Sequence, residues 1–295
     1  ANKIINIIGM YIMSTFSTKE YNPTEIELNI IIGSLLGDGS LALYGRSKNA
    51  YYREHGCDAQ IPYRLWKSQN LSKLDFQFNT NYKYAKLYSH SHPLFTDLYN
   101  AFYKNGVKTI TENNIRLLSH PIGMACFYMD DGTLVIDSVK RKNGSIYIFP
   151  RISFYTLSFS ESENVILKDH FKSKFDVNTK LKYRKDGKNV ILEINKKSDI
   201  LNFINIVKPY VNEIPCMKYK ADLEGRFEIK RLQLQKLGYN NINIWNEDLT
   251  NAFYTKEDEL FILECKKAGL SNAEIARKLN RPYWGVVDKI RRMKE

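Results

Sequence analysis

The sequence predicts an α/β (α+β) fold: two pseudo-symmetric αββαββα repeats with antiparallel sheets, followed by a small all-α domain of three helices. Three observations carry this. A phrase recurs, "IIGSLLGDG" at residues 31–39 and "MACFYMDDG" at 124–132, each an apolar run closing in Asp-Gly. The patterns behind the two phrases follow one order. Residues 251–295 then change to short, capped helical patterns with no strand signal. A chain of 295 residues, 43% of them hydrophobic, has the length and composition for this.

The elements follow in order. Residues 1–22 are an N-terminal extension whose "IINIIGMYIM" is too short to span a bilayer and is followed by no A-x-A-like cleavage pattern. The first repeat, 23–118, opens with a capping box, Thr24-x-x-Glu27, before the apolar run. Strand-like "SLALYG" and "AYYREH", an amphipathic segment over 61–74, the alternating "DFQFNT" and "KYAKLYSH", and helical "PLFTDLYNAFY" complete it. The second repeat, 119–220, starts its helix at Pro121. It continues with "TLVID" and "YIFPRISFYTLSF" around the turn-rich "KRKNGS" and a helix capped by Ser160-x-x-Glu163. A hairpin turning at Asp186-Gly187 and the helical "DILNFINIVKPYV" close the repeat. Residues 221–250 read as a mixed helix and an Asn-rich connector. In 251–295, Thr255-x-x-Asp258 and Ser271-x-x-Glu274 cap two helices, and a third starts near Pro282. Apolar Ile262, Cys265, Ile275, Val286 and Ile290 suit a three-helix core with a helix-turn-helix plan. The doubled architecture is that of a fused pseudo-dimer.

Lys and Arg number 44 against 32 Asp and Glu, a net charge of +12, which favours a polyanionic partner, nucleic acid first. Cys57, Cys126, Cys216 and Cys265 have no C-x-x-C spacing, so they read as free thiols of a reducing compartment and not as a zinc site. The setting this suggests is intracellular: bacterial or phage-infected cytoplasm, or an organelle matrix. His90 and His92 lack a surrounding Cys or Asn frame and read as surface histidines.

A helix ending in Asp-Gly sets a carboxylate where the helix dipole disfavours it. Once, this is an ordinary helix stop. Twice, in matched helices packed through small residues (Gly33 and Gly37 on one, Ala125 and Cys126 on the other), it brings Asp38 and Asp131 together. Adjacent carboxylates repel unless cations lie between them, and oxygen-only ligands suit Mg²⁺. In a basic protein, such a centre fits hydrolysis of phosphodiesters.

The two nonapeptides resemble the signature motifs of single-chain LAGLIDADG homing endonucleases, over roughly residues 24–220. Asp38 and Asp131 fall on the family's metal-binding acidic position, with Gly37 and Asp130 beside them. Gly33 and Gly37 fall on its small helix-interface positions. "NGVKTITENNI" and "PCMKYK" are similar to the family's lysine-bearing segments, which points to Lys108 and Lys220, with Lys218 near the latter. In the family such lysines stand by the active site and assist the hydrolytic water or the scissile phosphate, which the resemblance implies for these two. Two departures stand out: Asp130 where a small residue is common, and Cys126 in place of Gly. The resemblance implies saddle-shaped sheets over double-stranded DNA with a long asymmetric site, a monomer acting as a pseudo-dimer, and cuts leaving short 3′ overhangs. The implied cofactor is Mg²⁺, with Mn²⁺ or Ca²⁺ able to take the same sites. In the family each half also supplies a polar first-strand residue; the strands here do not single one out.

The strand segments interleave Tyr with Arg, Lys and Asn, and a sheet covered by helices on one face offers the other to a partner. The DNA-contact candidates are Arg46, Tyr52, Arg53, Lys83, Lys86, Arg151, Lys182, Arg184 and Lys188. The C-terminal segment resembles Myb-like or homeodomain-like modules, with Tyr254 where Trp is usual; its candidates are Arg281, Tyr283, Lys289, Arg291 and Arg292. Two other functions share the fold and charge: an RNA-binding maturase acting on its host intron, and a DNA-binding regulator with an inactive nuclease core.

Overall fold

The computed structural model describes residues 22–43, 45, 47–79, 85–141, 144–184, 187, 189–245, 254–279, 281 and 283–293. The N-terminal extension up to residue 21, the candidate contacts Arg46, Lys83 and Lys188, and Asp186 of the expected turn lie outside these residues.

The first repeat runs α1 (Glu25–Leu36), β1 (Ser40–Ala42), β2 (Tyr51–Gly56), α2 (Ile61–Asn70), β3 (Gln77–Asn79), β4 (Ala85–Tyr88) and α3 (Pro93–Phe102). A short hairpin, β5 (Tyr103–Lys104) and β6 (Val107–Lys108), leads on. The second repeat runs α4 (Pro121–Asp131), β7 (Gly132–Lys140), β8 (Ile146–Phe154), α5 (Glu161–Phe175), β9 (Lys180–Tyr183), β10 (Val190–Ile194) and α6 (Lys197–Val211). Then come α7 (Leu223–Lys236), β11 (Ile242–Ile244), α8 (Lys256–Lys267), α9 (Asn272–Lys278) and α10 (Tyr283–Arg292).

All four capping boxes form. At the first, the Thr24 hydroxyl accepts the Glu27 N–H at 3.2 Å and the Glu27 carboxylate accepts the Thr24 N–H at 2.8 Å. The same reciprocal pair closes at Ser160, Thr255 and Ser271. Each satisfies donors that a helix start leaves open, a gain of about 1 kcal/mol.

The first sheet is antiparallel, in the order β1-β2-β4-β3. In the second, β8-β10-β9 are antiparallel and β7 pairs with β8. The Asn-rich connector holds a strand that the composition hid: β11 lies parallel to the start of β8, Ile242 opposite Ile146, and the Trp245 N–H donates to Ile148 O at 3.0 Å. The segment before the second motif holds a short hairpin that the sequence reading left unassigned. Asn105 (φ 52°) and Gly106 (φ 77°) turn it into the β5–β6 hairpin, which ends on Lys108.

The chain divides into two compact units. One comprises the described residues up to Asp137 together with Pro150–Leu232; the other comprises those of Ser138–Phe149 and Gln233–Glu295. In the first, α1 and α4 pack together and α6 packs on α4. Ile30, Ile31, Ile32 and Leu35 of α1 and Met124–Met129 of α4 are buried, so these helices are apolar nearly all round. In the second, Ile262, Cys265, Ile275, Ala276, Val286 and Ile290 form the core of α8–α10. Among the described residues no helix is long and apolar enough to cross a membrane.

Candidate active site

The two motif helices end side by side. Gly33 of α1 and Gly37 at its C-cap meet α4 at Gly123 and Asp130: a Cβ on Gly37 would stand 2.4 Å from the Asp130 Cβ. The expected small-residue partners were Ala125 and Cys126. Both are fully buried, but the close approach to Gly33 falls at Gly123, two and three residues earlier, because facing helices mesh by level and not by motif position. Cys126 gives its carbonyl to the Tyr63 hydroxyl at 3.2 Å, and burial pushes its thiol up to about 12. Asn29 ties the far end of the pair, its Oδ1 accepting the N–H groups of Ser119 and His120, each at 2.9 Å.

Asp38 follows the α1 cap and Asp131 is the last residue of α4. Burial pushes the Asp131 carboxyl up to about 6, and the nearby Asp38 charge adds to the rise. Lys108 and Lys220 flank the pair in matching ways. The Lys108 ammonium donates to Gly39 O at 2.8 Å and to Gly37 O at 3.4 Å. The Lys220 ammonium donates to Gly132 O at 2.9 Å, to Tyr128 O at 3.3 Å and to Met129 O. Each cation thus sits on the carbonyl end of a motif helix, where the dipole favours it. Burial holds both below the ordinary lysine range, opposed by the charges of Asp38, Asp130 and Asp131.

The side chain of Asp130, expected beside the metal, is fully buried, with Lys67 Nζ at 3.1 and 3.2 Å from its oxygens and the Asp38 N–H at 3.3 Å from Oδ2. Lys67 also donates to Glu54 at 2.9 Å, and Arg64 joins Glu54 (3.1 Å) to Asp38 (3.4 Å). Burial raises the Asp130 carboxyl to about 7 against the pull of Lys67, while Asp130 and Glu54 lift Lys67 despite its burial. The ammonium, bonded to both carboxylates, is the fixed charge of this group; Glu54, despite burial, is held below the usual carboxylate range by Lys67 and Arg64, so Asp130 is the acid shifted toward its protonated form. The sequence reading passed over Glu54, Arg64 and Lys67. One signal was available: Glu54 alternates with the aromatic Tyr52 on β2, and Arg64 and Lys67 share a helix face with Tyr63.

The DNA-contact candidates divide. Tyr52 is not on the open face: it is 1% exposed, packs on Phe76 and Phe95, and donates its hydroxyl to Glu54. Its neighbour Arg53 is exposed on the opposite face, as strand alternation requires. Lys86 lies 5.3 Å from the Tyr88 ring centroid, and Arg184 is exposed. Arg151 is held by Asp137 (2.7 Å) and Glu193 (2.7 Å), and Lys182 stands 3.8 Å from Glu193. In the second unit, Arg281 is not an open contact: its side chain is 7% exposed, bonded to Asp258 at 2.7 Å and stacked 4.2 Å from the Tyr254 ring. Lys289 pairs with Glu259 at 2.5 Å. Arg291 and Arg292 are exposed and share Asp288, and Tyr283 is exposed. The four cysteines are free, Cys57 alone being exposed.

Comparison with known proteins agrees with this geometry. Residues 28–201 match the LAGLIDADG DNA endonuclease family. The chain is 27% identical over 209 residues to Protein RecA of Mycolicibacterium flavescens, covering 69% of this chain and 48% of that protein. It is likewise 27% identical over 211 residues to the probable intron-encoded endonuclease 1 of Wickerhamomyces canadensis, covering 67% of this chain and 84% of that one. It thus spans about half the length of the curated relatives it first matches. The fold is that of the homing endonuclease I-WcaI solved bound to its DNA recognition sequence: TM-score 0.55 at 22% identity, over 71% of this chain and 91% of that one. The doubled Asp-Gly phrase, the paired helices it closes and the matched residues 28–201 place the chain in the LAGLIDADG DNA endonuclease family.

Proposed function

We propose that the chain is a site-specific double-strand DNA endonuclease that hydrolyses phosphodiesters with a divalent ion, Mg²⁺ first. The observation that carries this is the meeting of Asp38 and Asp131 at the shared end of two helices, flanked by Lys108 and Lys220. The donors suit a hard cation. Two carboxylates face the site, and among the described residues no group of three or more His, Cys, Asp or Glu is placed to hold a metal. An ion held there by Asp38 and Asp131 would take its remaining ligands from water and phosphate oxygens, the donor set that suits Mg²⁺. When bound, such an ion activates water and neutralises the leaving oxygen.

The chain's own residues do the rest. Asp38 and Asp131, one from each repeat, would hold the ion. Lys108 and Lys220, anchored on carbonyls, keep positive charge where a phosphate oxygen gains negative charge. The outward sheet faces, with Arg53, Lys86, Lys182 and Arg184, track the duplex, and Arg151, braced by two carboxylates, is pre-set for a base edge. The two repeats act as one pseudo-dimer, and the three C-terminal helices add a tethered DNA contact through Arg291, Arg292 and Tyr283.

The test is cleavage of an intronless target locus with Mg²⁺. A discrete double-strand cut is expected; Asp38→Asn and Asp131→Asn each abolish it while leaving DNA binding intact. Normal cutting by both variants overturns the assignment. Splicing of the host intron stimulated by the protein, with no DNA cut, would favour the maturase reading.

A further inference from the structure

The two aspartates are not equivalent. The Asp38 carboxylate has a guanidinium on its inner side, Arg64 Nη2 at 3.4 Å, and its backbone N–H is bound by Asp130 at 3.3 Å. Among the described residues, the Asp131 carboxylate has neither an ion pair nor a hydrogen bond of this kind. Arg64 itself is over-determined. Its side chain is fully buried, with Nε in an ion pair with Glu54 at 3.1 Å and with hydrogen bonds to His55 O at 2.7 Å and to Gln60 Oε1 at 3.2 Å. Room for it is made by Gly56, since a Cβ there would stand 1.8 Å from Arg64 Cζ and 1.9 Å from both terminal nitrogens. Asp130 is fixed in turn by Lys67, which is bound to Glu54, so the group closes on itself.

Burying charges such as Glu54, Lys67 and Asp130 is no efficient route to stability, since desolvation offsets most of the attraction. Their arrangement does accomplish one thing: both ends of the closed group grip the same residue, Asp38, one at its side chain and one at its peptide. Because Arg64 takes one oxygen from behind, the other is left to face outward.

We propose that Arg64 and Asp130 are positioning residues for Asp38, held by Glu54 and Lys67, and that this one-sided support makes the two halves of the nuclease site unequal, so that the two DNA strands are cut through differently prepared carboxylates. This rests on the nuclease reading above.

Gly56→Ala tests it. The added methyl displaces the flexible end of Arg64 while every charge stays in the protein. Mn²⁺ binding to the full chain with duplex DNA present is read by electron paramagnetic resonance, and strand-resolved cleavage is measured on a site selected from a randomised duplex library. Gly56→Ala is expected to weaken Mn²⁺ binding about tenfold, as loss of an outer-shell partner does. It should slow one strand about tenfold or more, the cost of a misplaced group, and leave the other near wild type. Displacing a buried, paired guanidinium should also lower the urea midpoint, so metal binding and strand rates are compared where circular dichroism shows the variant folded. Arg64→Gln should give the same strand bias with lower stability. Wild-type Mn²⁺ affinity and strand rates in Gly56→Ala overturn the proposal, as does equal slowing of both strands. A wild-type chain whose Mn²⁺ binding is sensitive to Gly56→Ala but which cuts no duplex overturns the nuclease reading and leaves the positioning role standing. A wild-type chain that neither binds Mn²⁺ nor cuts overturns both.

Discussion

Gly33 of α1 faces Gly123 of α4 backbone to backbone: a Cβ on Gly33 would stand 2.0 Å from the Gly123 carbonyl oxygen. The obstacle is main chain, which cannot swing aside, so the helices must part. Gly33→Ala is therefore expected to cost about 3 kcal/mol or more, the upper end for overpacking. It should also lower cleavage by separating Asp38 from Asp131. Urea unfolding and cleavage rate check this; an unchanged urea midpoint would show that the helices are not in close contact.

Asp131 gives a pH signature. Its carboxyl sits near 6 in the folded chain against about 3.9 in an unfolded one, so the folded state holds the proton more tightly. Stability from this group is present below about pH 4, is lost as pH rises through 6, and is level above that. Asp131→Asn should raise stability at pH 8 without divalent ions by about 1–3 kcal/mol. The gain should shrink toward pH 4. Equal gains at both pH values would contradict the shift.

Lys220 bonds three carbonyls and Lys108 two. Lys220→Met orphans more buried acceptors and should cost about 2–3 kcal/mol, Lys108→Met about 1–2 kcal/mol. Both should slow cleavage with little change in DNA affinity. Chemical denaturation and single-turnover rates separate the two effects.

In the C-terminal helices, Arg281 braces Asp258 and Tyr254, whereas Arg291 and Arg292 extend outward. Arg281→Ala should destabilise these helices by about 1–3 kcal/mol. The double variant Arg291→Ala/Arg292→Ala should keep them folded, weaken DNA binding uniformly across sequences, and reduce the salt slope by about 2. Affinity measured against salt concentration, with far-UV circular dichroism, distinguishes the cases.

Local chemistry made much of this chain legible. The four capping boxes, Pro121 and the doubled Asp-Gly phrase act within a few residues of themselves, so the helix starts, the repeat and the pair Asp38/Asp131 were readable from the sequence. Alternation in β2 showed that Tyr52 and Glu54 share a face and that Arg53 takes the other. It did not show which face the helices cover, so naming both Tyr52 and Arg53 as contacts placed one of the two wrongly, and burial shows that it was Tyr52.

The sequence by itself determined the repeated order of elements, the apolar motif helices and the acidic residues at their ends, because these follow from spacing and capping along the chain. The tertiary structure alone decided that Gly123 and not Ala125 meets Gly33, that Asp130 turns inward to Lys67, and that Arg64 stands behind Asp38. Those pairings join residues far apart in the chain, and a charge is buried only where folding brings it a partner that offsets its lost hydration.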